Sequence, residues 1–153
     1  MELPFTASAF FGVFRQYNEA VWPMQVVLNA LAVVAVTLLL RPRPWADRLI
    51  ALILSALWFW TGVAYHLVWF TDINPAARLF GLLFLLGGGA FLWSGTLRGR
   101  LVFGVAPGWR KAVGAALIAY ALVVYPLLSV CLGHGYPAMP TFGLPCPTVI
   151  FTV

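Results

Sequence analysis

Residues 49–70 read LIALILSALWFWTGVAYHLVWF, a run without a single Asp, Glu, Lys or Arg. As an α-helix these residues would be about 33 Å long, at ~1.5 Å per residue. That length is enough to cross the hydrocarbon core of a bilayer, and a helix satisfies its own backbone polar groups as lipid requires. The run therefore predicts a transmembrane helix, with His66 in its last part.

Three further apolar runs repeat this pattern. Hydrophobic residues make up 63% of the 153-residue chain and charged residues only 8%, whereas soluble domains carry about 25% charged residues. This composition argues against a water-soluble domain, because too few charges are present to cover its surface. We predict one all-α domain over residues 1–153, a polytopic transmembrane bundle with four spans at residues 22–40, 49–70, 79–97 and 112–132.

Two segments outside the spans complete the predicted architecture. Residues 1–20 are too short and too polar to span, so we expect an interfacial amphipathic helix that begins at Thr6 or Ser8. Residues 133–148 read GHGYPAMPTFGLPCPT. This Gly- and Pro-rich outer loop is expected to cap the helix ends. Its inward-packed side chains would be Tyr136, Met139 and Phe142.

The basic residues decide the predicted orientation. Seven of the nine Lys and Arg residues fall in two loops, residues 41–48 and 98–111, which lie on the same side of a four-span bundle. The positive-inside rule then places these loops in the cytoplasm and both termini outside. A nucleic-acid partner is not indicated, because short basic clusters between apolar runs are typical of topology signals.

On this topology, most other polar and titratable side chains gather on the outer face beside the loop. Polar residues at membrane depth are costly and usually face the bundle interior or a wet cavity. We therefore predict an outward-facing polar site with four candidate metal ligands and four further polar residues. The candidate ligands are Glu19, His66, His134 and Cys146, and the further residues are Asp72, Asn74, Tyr136 and Cys131.

The candidate ligands also have structural interpretations. His66 equally fits a neutral histidine that is hydrogen-bonded to a neighbouring helix. Glu19 lies four residues after Arg15, which suits an ion pair on one helix face. Imidazole and thiolate groups, by contrast, suit soft ions such as Cu(I), Zn(II) or Hg(II). Two histidines at similar depth also permit haem ligation, but no haem-specific spacing supports it.

Cys146 leaves three alternatives open. Pro145 and Pro147 flank it before an apolar run, which predicts a helix with Cys146 as N-cap and Pro147 at the first helical position. A helix N-terminus favours the thiolate, so a metal-binding or redox role is one alternative. A disulfide with Cys131 in an oxidising compartment is the second. An inert thiol is the third.

Small residues in the last two predicted spans favour close helix packing. Gly87, Gly88 and Gly89 lie at the centre of the third span and permit backbones to approach in lipid. Pro126 is expected to kink the fourth span near its exit. The start of that span carries a patch of small residues, namely Ala112, Gly114, Ala115, Ala116 and Ala119.

Three motifs stand out: YNEAVWP at 17–23, AYHL around His66 with NPA at 74–76, and GHGYPAMPTFGLPCPT at 133–148. Together they resemble an uncharacterised family of bacterial multi-pass membrane proteins, described only as a domain of unknown function. The resemblance spans essentially the whole chain and implies an α-helical inner-membrane protein with no established activity, substrate or cofactor. It also implies further hydrophobic helix after the last motif. Residues 147–153 are too short to span, which leaves open a truncated chain or an end that leans on a partner.

Two functions fit this sequence. A membrane protein that handles a small ligand or soft metal ion would use the outward-facing site, although the spans offer no second ligand set to pass an ion onward. A non-catalytic subunit of a larger membrane complex, or a homo-oligomer, would use the aromatic residues and the small-residue helix faces. An enzyme is less favoured, because a Cys146–His134 pair lacks a recognisable orienting group.

Overall fold

The computed structural model describes residues 5–105 and 107–153, and over these residues the protein is helical apart from loops and one isolated bridge, Phe142–Leu144. This confirms the all-α prediction. Residues 133–144, which we call the capping loop, connect the last two helices. The helices in chain order are α1 (Ala7–Ala20), α2 (Met24–Leu40), α3 (Ala46–Asp72), α4 (Ala77–Leu97), α5 (Trp109–Cys131) and α6 (Pro145–Thr152).

Three of these helices are long and apolar enough to cross a membrane. They are α3, α4 and α5, with 27, 21 and 23 residues, and each lies within a few residues of a predicted span. α1 and α2 are bent by 87° at the short break between them. The bent pair makes a fourth span only if both helices are counted together, so the chain has three candidate spans, or four with this pair.

α1 crosses the end of the bundle instead of continuing the direction of α2. Thr6 is its N-cap, since the Thr6 hydroxyl accepts a hydrogen bond from the Ala9 N–H at 3.2 Å, which confirms one of the two predicted caps. Its apolar face packs onto α3. The buried cluster between the two helices includes Val13, Phe14, Tyr17, Tyr65 and Phe70.

α3 lies at the centre of the bundle, with α2 and α4 packed against it. Gly87 and Gly88 let α4 approach closely. A Cβ at Gly87 would collide with the Trp58 ring, and the Ser55 hydroxyl donates a hydrogen bond to Gly88 O at 2.8 Å. The expected close packing is therefore confirmed at these two glycines, whereas Gly89 faces open space.

The two basic loops meet at one end of the bundle. The Phe103 N–H donates to Asp47 Oδ1 at 2.9 Å, and the Thr96 hydroxyl donates to Arg48 O at 3.3 Å. The predicted order of the spans places these two loops on the same side, and the contacts confirm it. We call this end the basic end, and the opposite end, where α1 meets the capping loop, the loop face.

α5 is the least covered of the long helices: 6% of its apolar stretch is buried, against 56% for α3. α5 contacts α6, which packs mainly against the second half of α5. Wide π-helical turns occupy Tyr120–Val124, and α-helical geometry resumes at Tyr125. A π-helical stretch therefore lies just before Pro126, which cannot donate a backbone hydrogen bond; the kink expected at this proline stays a prediction.

Candidate functional site

Asn18 is the centre of the hydrogen-bond network on the loop face. Its side chain is fully buried and reaches from α1 into the capping loop. Asn18 Nδ2 donates to Pro137 O at 2.7 Å and to Met139 O at 2.8 Å. Asn18 Oδ1 accepts from the Thr141 hydroxyl at 2.6 Å and from Gln25 Nε2 at 3.3 Å. The amide group is thus fully used in holding the loop against α1.

The backbone carbonyl of Asn18 adds two contacts to this network. It accepts from Gln25 Nε2 at 2.8 Å and from the Tyr136 hydroxyl at 3.3 Å. Tyr136 is 52% exposed, so it is not the inward-packed side chain that the sequence predicts. Of the three side chains that were expected to pack inward, Phe142 is the one that is buried.

A second junction joins the capping loop and α6 to the middle of α3. Thr61 Oγ1 lies 2.9 Å from Leu57 O, 3.0 Å from Gly143 O and 3.3 Å from Thr148 Oγ1. Gly143 has φ +103°, and a Cβ there would collide with Leu28. The chain therefore requires glycine at this point, where its backbone passes over α2 and α3.

Tyr17 and Trp60 connect the same two regions. Trp60 Nε1 donates to the Tyr17 hydroxyl at 2.7 Å, and Tyr17 is fully buried. The Tyr17 ring also packs edge-on against Tyr65, with centroids 5.6 Å apart. This hydrogen bond and this ring contact hold α1 against α3.

His66 is buried, with 4% of its surface exposed. It lies in the π-helical part of α3, Thr61–Trp69, among aromatic rings, the nearest being Phe84 at 5.0 Å between centroids. Neither ring nitrogen has a hydrogen-bond partner among residues 5–105 and 107–153. The expectation of a histidine hydrogen-bonded to a neighbouring helix is therefore wrong, because α4 presents phenylalanine rings at this position.

His134 makes different contacts from His66. Its ring stacks on Phe11 of α1 at 3.7 Å between centroids and 13° between planes. Its backbone carbonyl accepts from the Ser129 hydroxyl at 3.0 Å. This stacking fixes the start of the capping loop on α1, and it leaves the imidazole half-buried.

The cysteines are both free and exposed, so the disulfide alternative is not present in this structure. α6 begins at Pro145, and Leu144 is its N-cap. The prediction of Cys146 as N-cap is therefore wrong. Pro145 takes the first helical position, where its missing N–H costs nothing, and Cys146 follows at the second. The Cys146 thiol neighbours the Tyr125 hydroxyl of α5.

The remaining predicted site residues lie at the surface of the loop face or near it. Glu19 and Asp72 are exposed. Asn74 is half-buried, and its Oδ1 accepts from the Ala76 N–H at 3.1 Å. This Asn74 contact is a local turn, typical of asparagine before a helix. None of the three takes part in the Asn18 network.

The sequence matches a family profile described as a family of unknown function, DUF6064, over residues 7–153. The chain belongs to DUF6064. This confirms the resemblance to a family of unknown function. No curated protein and no solved structure matches the chain.

In this DUF6064 protein, the structure does not gather the four candidate metal ligands. Within residues 5–105 and 107–153, no three His, Cys, Asp or Glu side chains lie close enough to share a metal ion. The structure gathers neutral polar residues instead. They are Asn18, Gln25, Thr61, Thr141 and Thr148, all buried.

Sequence reasoning does not single out most of these neutral residues. Asn18 lies inside the YNEAVWP motif, so the motif is the one signal that marks it. Gln25 is a polar residue in an apolar helix and is marked by that contrast. Thr61, Thr141 and Thr148 carry no such signal, because a threonine in an apolar run fits a lipid-facing position equally well.

Proposed function

We propose that this DUF6064 protein is a non-catalytic subunit of a larger membrane assembly, with α5 as the docking helix. The observation that carries the proposal is the low burial of α5. Only 6% of its apolar stretch is covered by the rest of the chain, against 22% for α4 and 56% for α3. A long apolar helix left open on most sides offers a surface to another transmembrane helix.

The residues on α5 suit contact with a helix. Ala112, Ala116 and Ala119 are spaced by four and three residues, so they share one face, and all three are exposed. Small side chains let two helix backbones approach in a membrane. Leu82 and Leu86 on α4, like Leu127 on α5, are exposed large side chains that are typical of lipid-facing positions.

The loop face supports the same proposal. The Asn18 amide is saturated by contacts within the chain, and the Thr61 hydroxyl is engaged in the same way. Groups that are satisfied in this manner stabilise one fold and are not free to bind a substrate. The polar residues of the loop face therefore suit a structural role.

The experiment is purification in a gentle detergent, with chemical crosslinking in native membranes beforehand. Ala116→Ile enlarges the exposed face of α5, and Ala90→Ile is the matched control, since Ala90 is an exposed alanine on α4. We expect the wild type and the control to elute and crosslink as an assembly and Ala116→Ile to elute as a lone chain. A wild type that elutes as a lone chain, with no crosslinked product, contradicts the proposal.

A second proposal is that the protein handles a small ligand or soft metal ion from the loop face. His66 favours it, because both of its ring nitrogens are buried without a partner, and an unpaired buried polar group costs about 1–3 kcal/mol. Such costs are often retained for a function. Elemental analysis of purified protein tests it, with His66→Phe compared with His134→Phe. A metal content that His66→Phe leaves unchanged excludes His66 as a ligand.

A further inference from the structure

A large apolar groove separates α5 from α2 and α3 at the basic end. Its volume is about 720 Å³. The walls are mostly aliphatic, with three aromatic residues, and they include Leu39 on α2, Leu54 on α3 and Ile118 on α5. Because the main contacts of α5 are with α6, a groove remains open between its first half and helices α2 and α3.

The groove has the length of a single lipid leaflet. Along α5 it is lined from Trp109 to Val123, fourteen steps that correspond to about 21 Å of helix. Half of the ~30 Å hydrocarbon core is ~15 Å. An acyl chain that enters at the basic end therefore finds an apolar wall over its full length, with the first turn of α5 left at headgroup depth.

The charge at the groove entrance has one sign. Arg110 and Lys111 both line it, and the described lining residues include no Asp or Glu. The nearest acid in the adjoining loop, Asp47, is engaged by the Phe103 N–H at 2.9 Å and does not line the groove. Two cations above an aliphatic slot complement a phosphate headgroup that carries acyl chains.

We propose that this groove is a binding site for one anionic phospholipid, with the phosphate at Arg110 and Lys111 and the acyl chains against α2, α3 and α5. Basic pockets between transmembrane helices bind anionic headgroups in this way. The site overlaps the docking face proposed above only at Ala119, because Ala112 and Ala116 lie outside the groove lining.

The test is native mass spectrometry of the full chain released from nanodiscs of equal parts palmitoyl-oleoyl phosphatidylglycerol and phosphatidylcholine. We expect one retained lipid per chain, with phosphatidylglycerol favoured about 30-fold, which corresponds to about 1 kcal/mol for each of the two basic side chains. Arg110→Ala combined with Lys111→Ala removes this preference. The matched control combines Arg43→Ala with Arg100→Ala, which removes the same charge from exposed loop positions outside the groove.

A second pair of variants tests the apolar part. A Cβ at Gly114 meets nothing within 4 Å, and Gly114 lines the groove, so the side chain of Gly114→Phe starts in open space and narrows the slot. Gly89→Phe is the control, because Gly89 also faces open space but lies on α4. We expect Gly114→Phe to lose the retained lipid and Gly89→Phe to keep it.

Three outcomes overturn the proposal. They are equal retention of the two lipids by the wild type, equal loss in the test and control variants, and a retained polypeptide in place of a lipid. If Gly114→Phe fails to fold, as judged by circular dichroism and elution volume, the paired charge variants alone decide the outcome.

Discussion

Hydrogen-bond capacity explains the choice of asparagine at residue 18. The site requires two donors toward the Pro137 and Met139 carbonyls and an acceptor toward the Thr141 hydroxyl, all from one short side chain. An amide supplies both, whereas an ionised carboxylate only accepts. Aspartate would therefore place a charge against two carbonyl oxygens, and leucine would leave three polar groups unpaired.

Asn18→Ala should destabilise the protein by about 2–4 kcal/mol, because a buried group that loses its partner costs about 1–3 kcal/mol. The measurement is thermal unfolding in detergent, with an expected decrease in Tm of roughly 5–15 °C. Asn29→Ala is the control. Asn29 Nδ2 makes a single contact with Gln25 O within its own helix, so its loss should cost much less. Equal shifts for the two variants would show that the network does not hold the loop.

Gly143→Ala tests the loop backbone at the scale of one methyl group. The residue has φ +103°, and the added Cβ would collide with Leu28 and lie 3.4 Å from the Tyr17 hydroxyl. The backbone strain alone is worth about 1–3 kcal/mol. Gly135→Ala lies in the same loop and meets nothing within 4 Å. We expect a lower Tm for Gly143→Ala only, and a similar Tm for both variants would be inconsistent with this backbone path.

At the scale of elements, α6 is a short helix fixed by side chains of α3. Thr148 lies near the Thr61 hydroxyl at 3.3 Å, and Trp58 Nε1 donates to the Thr152 hydroxyl at 3.0 Å. A helix of eight residues is not stable alone in water, since nucleation is costly. These contacts with α3 therefore position α6, and through α6 they position α5.

Thr61→Val should cost about 1–2 kcal/mol, because valine keeps the shape but leaves Gly143 O without its partner. Thr37→Val is a matched control, since Thr37 makes the same contact with the carbonyl four residues earlier but nothing beyond its own helix. Thr61→Val and Thr148→Val should also be non-additive when combined, by about 0.5 kcal/mol or more. Additive changes in the unfolding free energy would mean that the two hydroxyls do not interact.

At the scale of the whole molecule, the apolar runs allow the long helices to be predicted, and the loop face is where prediction stops. Length and hydropathy place α3, α4 and α5 because a bilayer demands a long run without charges. No comparable physical requirement predicts the 87° bend between α1 and α2. The loop network also joins residues such as Asn18 and Thr141 that are more than a hundred positions apart, and no periodicity connects them.

The same limit applies to the candidate ligands. Charge placement predicts that Glu19, His66, His134 and Cys146 share one face, but sharing a face does not fix distances between side chains. In the structure, aromatic rings separate the two histidines from possible partners: Phe84 packs against His66 and Phe11 against His134. Stacking and packing of this kind depend on the full fold, so the ligand set could not be assembled from spacing alone.

The two ends of the molecule differ in basic charge, and this difference predicts its orientation in the membrane. Cys131 and Cys146 are exposed and free near the loop face, and Arg43 is exposed at the basic end. If the basic end is cytoplasmic, a membrane-impermeant maleimide added to intact spheroplasts should label the wild type through these cysteines. Cys131→Ser combined with Cys146→Ser should remove that labelling.

The decisive variant adds Arg43→Cys to the background without the two native cysteines. Its thiol lies at the opposite end of the bundle, so we expect labelling only after the membrane is permeabilised. The double serine variant controls for non-specific reaction. Labelling of Arg43→Cys in intact spheroplasts, with protection of the native cysteines, would reverse the orientation. It would also move the basic entrance of the groove to the outer leaflet, while the same-end arrangement of the two basic loops, fixed by Asp47 and Arg48, would be unaffected.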